Sequence, residues 1–340
     1  MAATTSPTPA LETELESYRR ELTAHCYRML GSGFEAEDAV QETFVRAWRN
    51  FSSFEGRSSL RSWLYKIATN VCLDMLQGPQ RRARPMDMGP AGTAESTLGA
   101  PLVETAWVMP IPDSRTLPDA GDPAELAASR ETLRLAFVAA LQHLPPRQRA
   151  VLILREVLRW QATEVAELLD MTVASVNSAL QRARATIDQL DLDQSGAAEL
   201  DGDDQELLTR YVDAFERYDI ESLIALIADD AEFTMPPFEL WLRGTTDIAK
   251  WYVGQGIGCK DSRMIATSAN GCAAFGAYKL GDDGVREPWS LQVIEVSGGK
   301  ITGLHHWIPP FADQLFEEFG LPPRLEGEVP YSSESVKSSS

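Results

Sequence analysis

Cysteine is scarce in this 340-residue chain: Cys26, Cys72, Cys259 and Cys272 are widely scattered, form no CxxC pair and have no histidine at a zinc-ligand spacing. They read as buried thiols, and no metal or other cofactor is expected. Long apolar runs are missing too. No stretch of eighteen apolar residues could span a bilayer, so a membrane is not an expected partner. The start, MAATTSPTPALETELESY, lacks the basic end and apolar stretch of a secretory signal, which points to the cytoplasm. Basic residues are few, 31 against 50 acidic ones, for a net charge of −19. That balance is wrong for general affinity to nucleic acid, because phosphate contacts need lysine and arginine. The imbalance is local, however. Residues 189–340 hold 11 basic against 27 acidic residues, whereas 1–84 and 125–188 are near balance. Any DNA contact must come from local charge in those two segments.

The length allows two or three domains. Apolar residues recur at helical spacing from Leu11 to Leu76, as in Ala39, Val40, Phe44, Ala47 and Trp48, which predicts a helical domain over 11–78. Residues 79–124 are rich in Pro, Gly, Ala and acid and read as a linker, although Trp107-Val108-Met109-Pro110-Ile111-Pro112 is too apolar for an inert spacer and should dock on something. A second helical block covers 125–190. The third region, 204–325, has helical spacing at Leu207, Leu208, Tyr211, Val212 and Phe215, followed by strand-like runs AEFTM, RMIATSA, AAFGAYKL, WSLQVIEV and ITGLHHW. Helices first and strands after predict an α+β domain with a curved antiparallel sheet. The Ser-rich end, 326–340, reads as a disordered tail.

Residues 160–187 read as two short helices joined near Asp170-Met171, a helix-turn-helix pattern. Thr172 is the expected N-cap, and Val176, Leu180, Ala183 and Ile187 form the expected inner stripe. The other face carries Ser175, Asn177, Ser178 and Gln181, which could reach base edges, with Arg182 and Arg184 suited to phosphates. A plain helical hairpin with a solvated face fits the same segment. In EAEDAVQETFVRAW, Glu35, Asp38 and Glu42 share one helix face, a surface for a basic partner or merely for water. In FSSFEGRSSLRSWLYKIATNVCLDML, Arg57, Arg61, Lys66 and Asn70 interleave with Phe54, Trp63 and Tyr65, a mixture suited to unstacked bases and also to core rings under surface charges.

Taken in order, these segments resemble an extracytoplasmic-function sigma factor. LGSGFEAEDAVQETFVRAW is similar to the family's polymerase-clamp-binding helix, FEGRSSLRSWLYKIATNVCLD to its melting and minus-ten region, and LPPRQRAVLILREVLRWQATEVAELLDMTVASVNSALQRAR to its minus-35-reading domain. The resemblance implies core RNA polymerase and promoter DNA as partners. It places Asp38, Gln41, Glu42 and Phe44 at the polymerase, Arg57, Arg61, Trp63, Lys66 and Asn70 on the displaced strand, and Ser175, Asn177, Ser178, Gln181, Arg182 and Arg184 on the upstream element. It also implies that the linker threads toward the polymerase active site. Positions 177 and 179, basic in many relatives, are Asn177 and Ala179, so weak intrinsic affinity for DNA is expected.

Residues 204–315 resemble a SnoaL-like domain, the cone-shaped fold of certain polyketide cyclases and ketosteroid isomerases, and such a fusion points to the SigG-type actinobacterial branch. Gly298-Gly299 suits a hairpin turn. Tyr211, Trp241, Trp251, Trp289, His305 and Trp307 could line a pocket for a small-molecule ligand, with Tyr211, Asp213, His305 and His306 as the acid–base candidates. Adjacent histidines on a strand face opposite ways, so at most one enters the cone. The expected role is modulation of transcription, not catalysis. The rivals are a helix-turn-helix regulator with a sensor domain and a cyclase or isomerase with a regulatory N-terminus.

Overall fold

The computed structural model describes residues 9–54, 56, 58–77, 82–190 and 202–326. The chain forms two units: one takes in the chain to Arg82 and again from Ser114 to Asp193, the other residues 83–113 and the chain from Gln194 onward. No helix of the described residues is long and apolar enough to cross a membrane.

The first unit is helical. It begins with α1 (Pro9–Ser17), α2 (Arg19–Leu30), α3 (Gly33–Asn50) and α4 (Leu60–Met75). Ser32 and Ser59 cap α3 and α4 through their hydroxyls, and Gly31 ends α2 in the left-handed conformation at φ 74°. The short α5 (Pro85–Met88) belongs to the second unit. The first unit resumes with α6 (Pro123–Glu131), α7 (Leu135–Gln142), α8 (Pro146–Leu152) with a π-helical turn at Ile153–Val157, α9 (Ala162–Leu168) and α10 (Val173–Asp188). Its two helical blocks are not separate. Buried Arg149 of α8 donates to the Met29 carbonyl at the end of α2 and to Gln142 Oε1. Buried Arg28 donates to the Thr132 carbonyl and hydroxyl at 3.2 and 2.8 Å, and the rings of Tyr65 and Trp160 meet at 5.3 Å.

The second unit sets α11 (Gly202–Arg217) and α12 (Ile220–Ala225) before β1 (Ile227–Thr234), β2 (Trp241–Arg243), α13 (Thr245–Val253), β3 (Arg263–Ala269), β4 (Cys272–Leu280), β5 (Arg286–Ser297), β6 (Lys300–Trp307) and α14 (Ala312–Glu318). The sheet order is β2-β1-β6-β5-β4-β3. This is the helices-then-sheet arrangement that the SnoaL-like resemblance implied, with one correction: the sheet is mixed, because β1 runs parallel to β6 while every other pair is antiparallel. Two hairpins turn through paired left-handed residues, Asn270-Gly271 and Gly298-Gly299, which match the strand twist. One face of the sheet packs Phe233, Phe275, Ile294 and Leu304 against Tyr211, Phe215, Ile248 and Tyr252 of the helices. On the opposite face a Cβ on Gly276 would lie 2.6 Å from Leu321 Cδ1 and 3.2 Å from the Phe316 ring, so only glycine lets this segment approach.

The expected linker is in large part a strap on this domain. Proline and glycine keep residues 89–113 from continuous helix, and their backbone polar groups bond elsewhere. Trp241 Nε1 donates to the Gly89 carbonyl at 2.9 Å, and Gly92 N–H to the Trp241 carbonyl at 2.8 Å. Gln255 Nε2 donates to the carbonyls of Ala94 and Ser96. Ile111 exchanges hydrogen bonds with Asn270, and Gly271 N–H donates to Asp113 Oδ1 at 2.8 Å. Trp107, Met109 and Ile111 are fully buried. The apolar hexapeptide docks at the β3–β4 end of its own chain.

Candidate nucleic-acid interface

The amphipathic pattern of α3 buries Ala36, Ala39, Val40, Thr43 and Ala47 and turns Asp38 and Gln41 to solvent. Glu42 is tied to Arg46 at 2.7 Å, and Arg46 reaches on to Asp74 at 3.1 Å. Glu35, which shares the predicted acidic face, is held by buried Arg82 at 2.8 Å. Phe44 lies under the Arg19 guanidinium, 4.9 Å from the ring centre. Asp38 and Gln41 are thus open to a partner, while Glu42 and Phe44 are already engaged within the unit.

Arg57 lies outside the described residues. Trp63 leans on Phe54 in a tilted pair at 4.9 Å and borders Phe51 at 6.4 Å, forming a three-ring cluster with Phe51 exposed. Asn70 is exposed. The cations are occupied: Arg61 pairs with Glu21 at 2.7 Å and covers the Tyr65 ring, while Lys66 reaches Asp170 at 3.2 Å and the Glu167 carbonyl at 3.3 Å. Tyr65 itself is fully buried, and that burial drives its hydroxyl pKa above the usual range. Sequence reasoning missed these partners because they come from α2 and α9–α10, distant in the chain.

In the second block the turn between α9 and α10 places Asp170 at φ 52°, a left-handed position that aspartate tolerates. Thr172 caps α10 by accepting from Ser175 N–H at 3.1 Å. Val176, Ala179, Leu180 and Ala183 are buried, and Ile187 is half-buried. Ala174, Ser175, Asn177, Ser178, Gln181, Arg182 and Arg184 are all exposed. Ala179 packs inward, so it is no lost cation on the outer face. Arg184 is paired with Glu156 at 2.5 Å, and the Ser175 hydroxyl with that of Thr172 at 2.9 Å. The face left for base edges is Asn177, Ser178 and Gln181, with Arg182 beside them.

The pocket candidates of the second unit divide between the two faces of its sheet. Tyr211 is buried on the helix-covered face, where its hydroxyl donates to Gln292 Oε1 at 2.7 Å, and Trp251 joins that core. The histidine on this face is His306, whose ring lies 4.9 Å from Phe233. Burial and the neighbouring His305 press its pKa down to about 3, so it is neutral. His305 is on the other face, bonded through Nδ1 to the Thr234 hydroxyl at 3.0 Å with Glu295 3.7 Å from Nε2. Trp241 and Trp307, in register with Thr234 and Leu291, lie on that face too. Trp289 is half-buried under the Lys279 ammonium at 4.7 Å. Asp213 is half exposed and pairs with Arg217. Tyr211 and His305 are therefore not brought together. The Tyr252 hydroxyl and His306 Nε2, both buried, meet no hydrogen-bond partner among the described residues.

Comparison with known proteins is consistent across both units. Residues 15–82 match the family Sigma-70 region 2, and residues 134–187 match Sigma-70, region 4. The ECF RNA polymerase sigma factor SigG of Mycobacterium tuberculosis is 43% identical over 316 residues, covering 91% of this chain and 83% of SigG. SigW of Bacillus subtilis, also an ECF RNA polymerase sigma factor, is 30% identical over 51% of this chain and 84% of its own length. The crystal structure of Mycobacterium tuberculosis SigJ superposes with a TM-score of 0.57 at 24% identity, over 92% of this chain and all of SigJ, a likeness of fold.

Proposed function

Because this chain belongs to the family of extracytoplasmic-function (ECF) RNA polymerase sigma factors, we propose that it acts in the cytoplasm, binds core RNA polymerase and directs it to particular promoters. The observation that carries this reading is the pairing, in one helical unit, of the solvent-facing Asp38 and Gln41 on α3 with the exposed polar face of α10. On this reading Asp38, Gln41, Glu42 and Phe44 meet polymerase, the Phe51–Phe54–Trp63 cluster with Asn70 takes unstacked bases, and Asn177, Ser178, Gln181 and Arg182 read the upstream element.

Elements 25 base pairs apart are separated by about 85 Å on straight duplex, at roughly 3.4 Å per pair. Lys66 of α4 and Asp170, in the turn that leads into the reading helix, are 3.2 Å apart. The free protein is therefore closed, and polymerase must draw its two blocks apart before both elements are engaged. Closure and the shortage of free cations together make promoter binding polymerase-dependent. An anisotropy titration of promoter DNA tests this: tight specific binding without core polymerase at physiological salt would contradict it and favour an ordinary helix-turn-helix regulator.

The C-terminal domain acts by holding the linker. A linker that threads toward the polymerase active site cannot also lie along Trp241, Gln255 and Asn270, so release of the strap and full engagement are coupled. Truncation before residue 204 should change promoter-directed output in run-off transcription, and unchanged output would sink this role. A small-molecule ligand of the domain is the finer reading. It would supply partners to the Tyr252 hydroxyl and His306 Nε2.

A further inference from the structure

The residues of α3 that follow its acidic stripe run into a groove that the stripe does not explain. Asp38, Gln41, Val45 and Trp48 follow one another at helical spacings of three, four and three, with Glu42 four residues after Asp38, so they lie along one side of α3. Toward its end that side meets α1, whose Leu11 and Leu15 are buried. Between the two helices is a groove of about 170 Å³ lined by Leu15, Phe44, Val45 and Trp48, with Glu12 and Glu16 on its rim. Trp48 is 43% exposed, a large apolar surface for the solvent side of a helix.

The rim is electrostatically uneven. Arg19 bonds Glu16 at 2.6 Å and Glu37 at 2.8 Å, and its guanidinium covers Phe44. That hydrogen bond also holds the Glu16 carboxyl below the usual range. The Glu16 end of the groove thus already has its cation, a guanidinium held between the Phe44 ring and the Glu16 carboxylate. The other end repeats the components, an indole face at Trp48 and a carboxylate at Glu12, and its cation does not come from Arg19.

We infer that this groove is a socket for one arginine or lysine side chain of core RNA polymerase, its stem on Leu15, Val45 and Trp48 and its charged head at Glu12, which makes α1 a second wall of the polymerase interface. Long basic side chains lay their methylenes on apolar surface and keep the charge at a polar rim, and the indole is the strongest ring partner for a cation. The inference rests on the reading of α3 as the polymerase-facing helix. Phe44 belongs to both surfaces, so the socket continues the one into the other.

The test is the affinity of the full chain for the host's core polymerase, measured by competition at several salt concentrations. Glu12→Gln should weaken binding about three- to fivefold and Glu12→Lys about tenfold, with a shallower salt dependence in each. Glu14→Lys, exposed on the same helix and outside the groove, should bind like the wild type. Asp38→Lys reports on the α3 reading alone. If Asp38→Lys weakens binding while both Glu12 variants bind normally, the socket is wrong and the α3 reading stands. If Glu14→Lys weakens binding as much as Glu12→Lys, the effect is general charge and the socket is again wrong. If the wild type does not bind core polymerase, the α3 reading fails, and the inference with it.

Discussion

Replacing Thr132 by valine should loosen the closed form of the helical unit without touching a reading residue. Arg28, 5% exposed at the end of α2, donates Nη2 to the Thr132 hydroxyl at 2.8 Å and Nε to the Thr132 carbonyl at 3.2 Å. Valine keeps the shape and the carbonyl but removes the hydroxyl acceptor. A hydrogen bond from a charged donor contributes about 1.5–3 kcal/mol, and one buried guanidinium N–H is left unsatisfied. If that bond breaks on opening, the open population rises about tenfold to 150-fold, at roughly 1.4 kcal/mol per factor of ten. Hydroxyl-radical footprinting can read this through Trp160, which is 7% exposed beneath Tyr65, with the 43%-exposed Trp48 as internal reference. Trp160 oxidation should rise steeply relative to Trp48 in Thr132→Val while fully buried Tyr27 stays protected. An unchanged ratio, or equal gains at Tyr27, would refute the latch, the latter by showing general unfolding.

Acid should destabilise both units well above the carboxylate range. Burial holds the pKa of His25 and of His306 at about 3, whereas an unfolded histidine titrates near 6.5, so the unfolded chain gains protons first as pH falls. Stability is therefore lost between those values, by about 2 kcal/mol per histidine from pH 7 to 5; urea unfolding of wild type and His306→Gln at the two pH values should differ by that share, and parallel curves would contradict it. Gly276→Ala should cost the second unit about 1–3 kcal/mol, because the new methyl meets Leu321 and Phe316; a melting temperature within 1 °C of wild type would show that they move aside. Asn270→Ala removes the acceptor of Ile111 N–H and strains a residue at φ 57°, so limited proteolysis should cut within 89–113 sooner, and an unchanged digestion pattern would count against the strap.

How much of this was legible in the sequence depended on whether a feature was local. The α9–α10 pair was legible, since Thr172 and the stripe at Val176, Leu180 and Ala183 fall within one short segment. Five strands showed through alternating residues and Gly298-Gly299, but three-residue β2 is too short to display a period. That Trp107–Pro112 must dock followed from its apolarity, whereas its destination depends on Asn270 and Asp113, 157 positions apart. The choice between His305 and His306 was closed to sequence reasoning because a one-residue shift of register exchanges the two faces. The pairing of Lys66 with Asp170, and the groove between α1 and α3, are likewise products of tertiary packing, and composition carries no trace of them.

As proposed above, this protein gives RNA polymerase its promoters through two separate reading surfaces. The direct measurement is transcription of fragmented host genomic DNA by core polymerase with the full-length chain, followed by sequencing of transcript 5′ ends. Discrete start sites that share two elements at fixed spacing are expected, with loss of upstream-element selectivity in Gln181→Ala with Arg182→Ala, and loss of all these starts in Asp38→Lys. Start sites identical with and without the protein would contradict that reading.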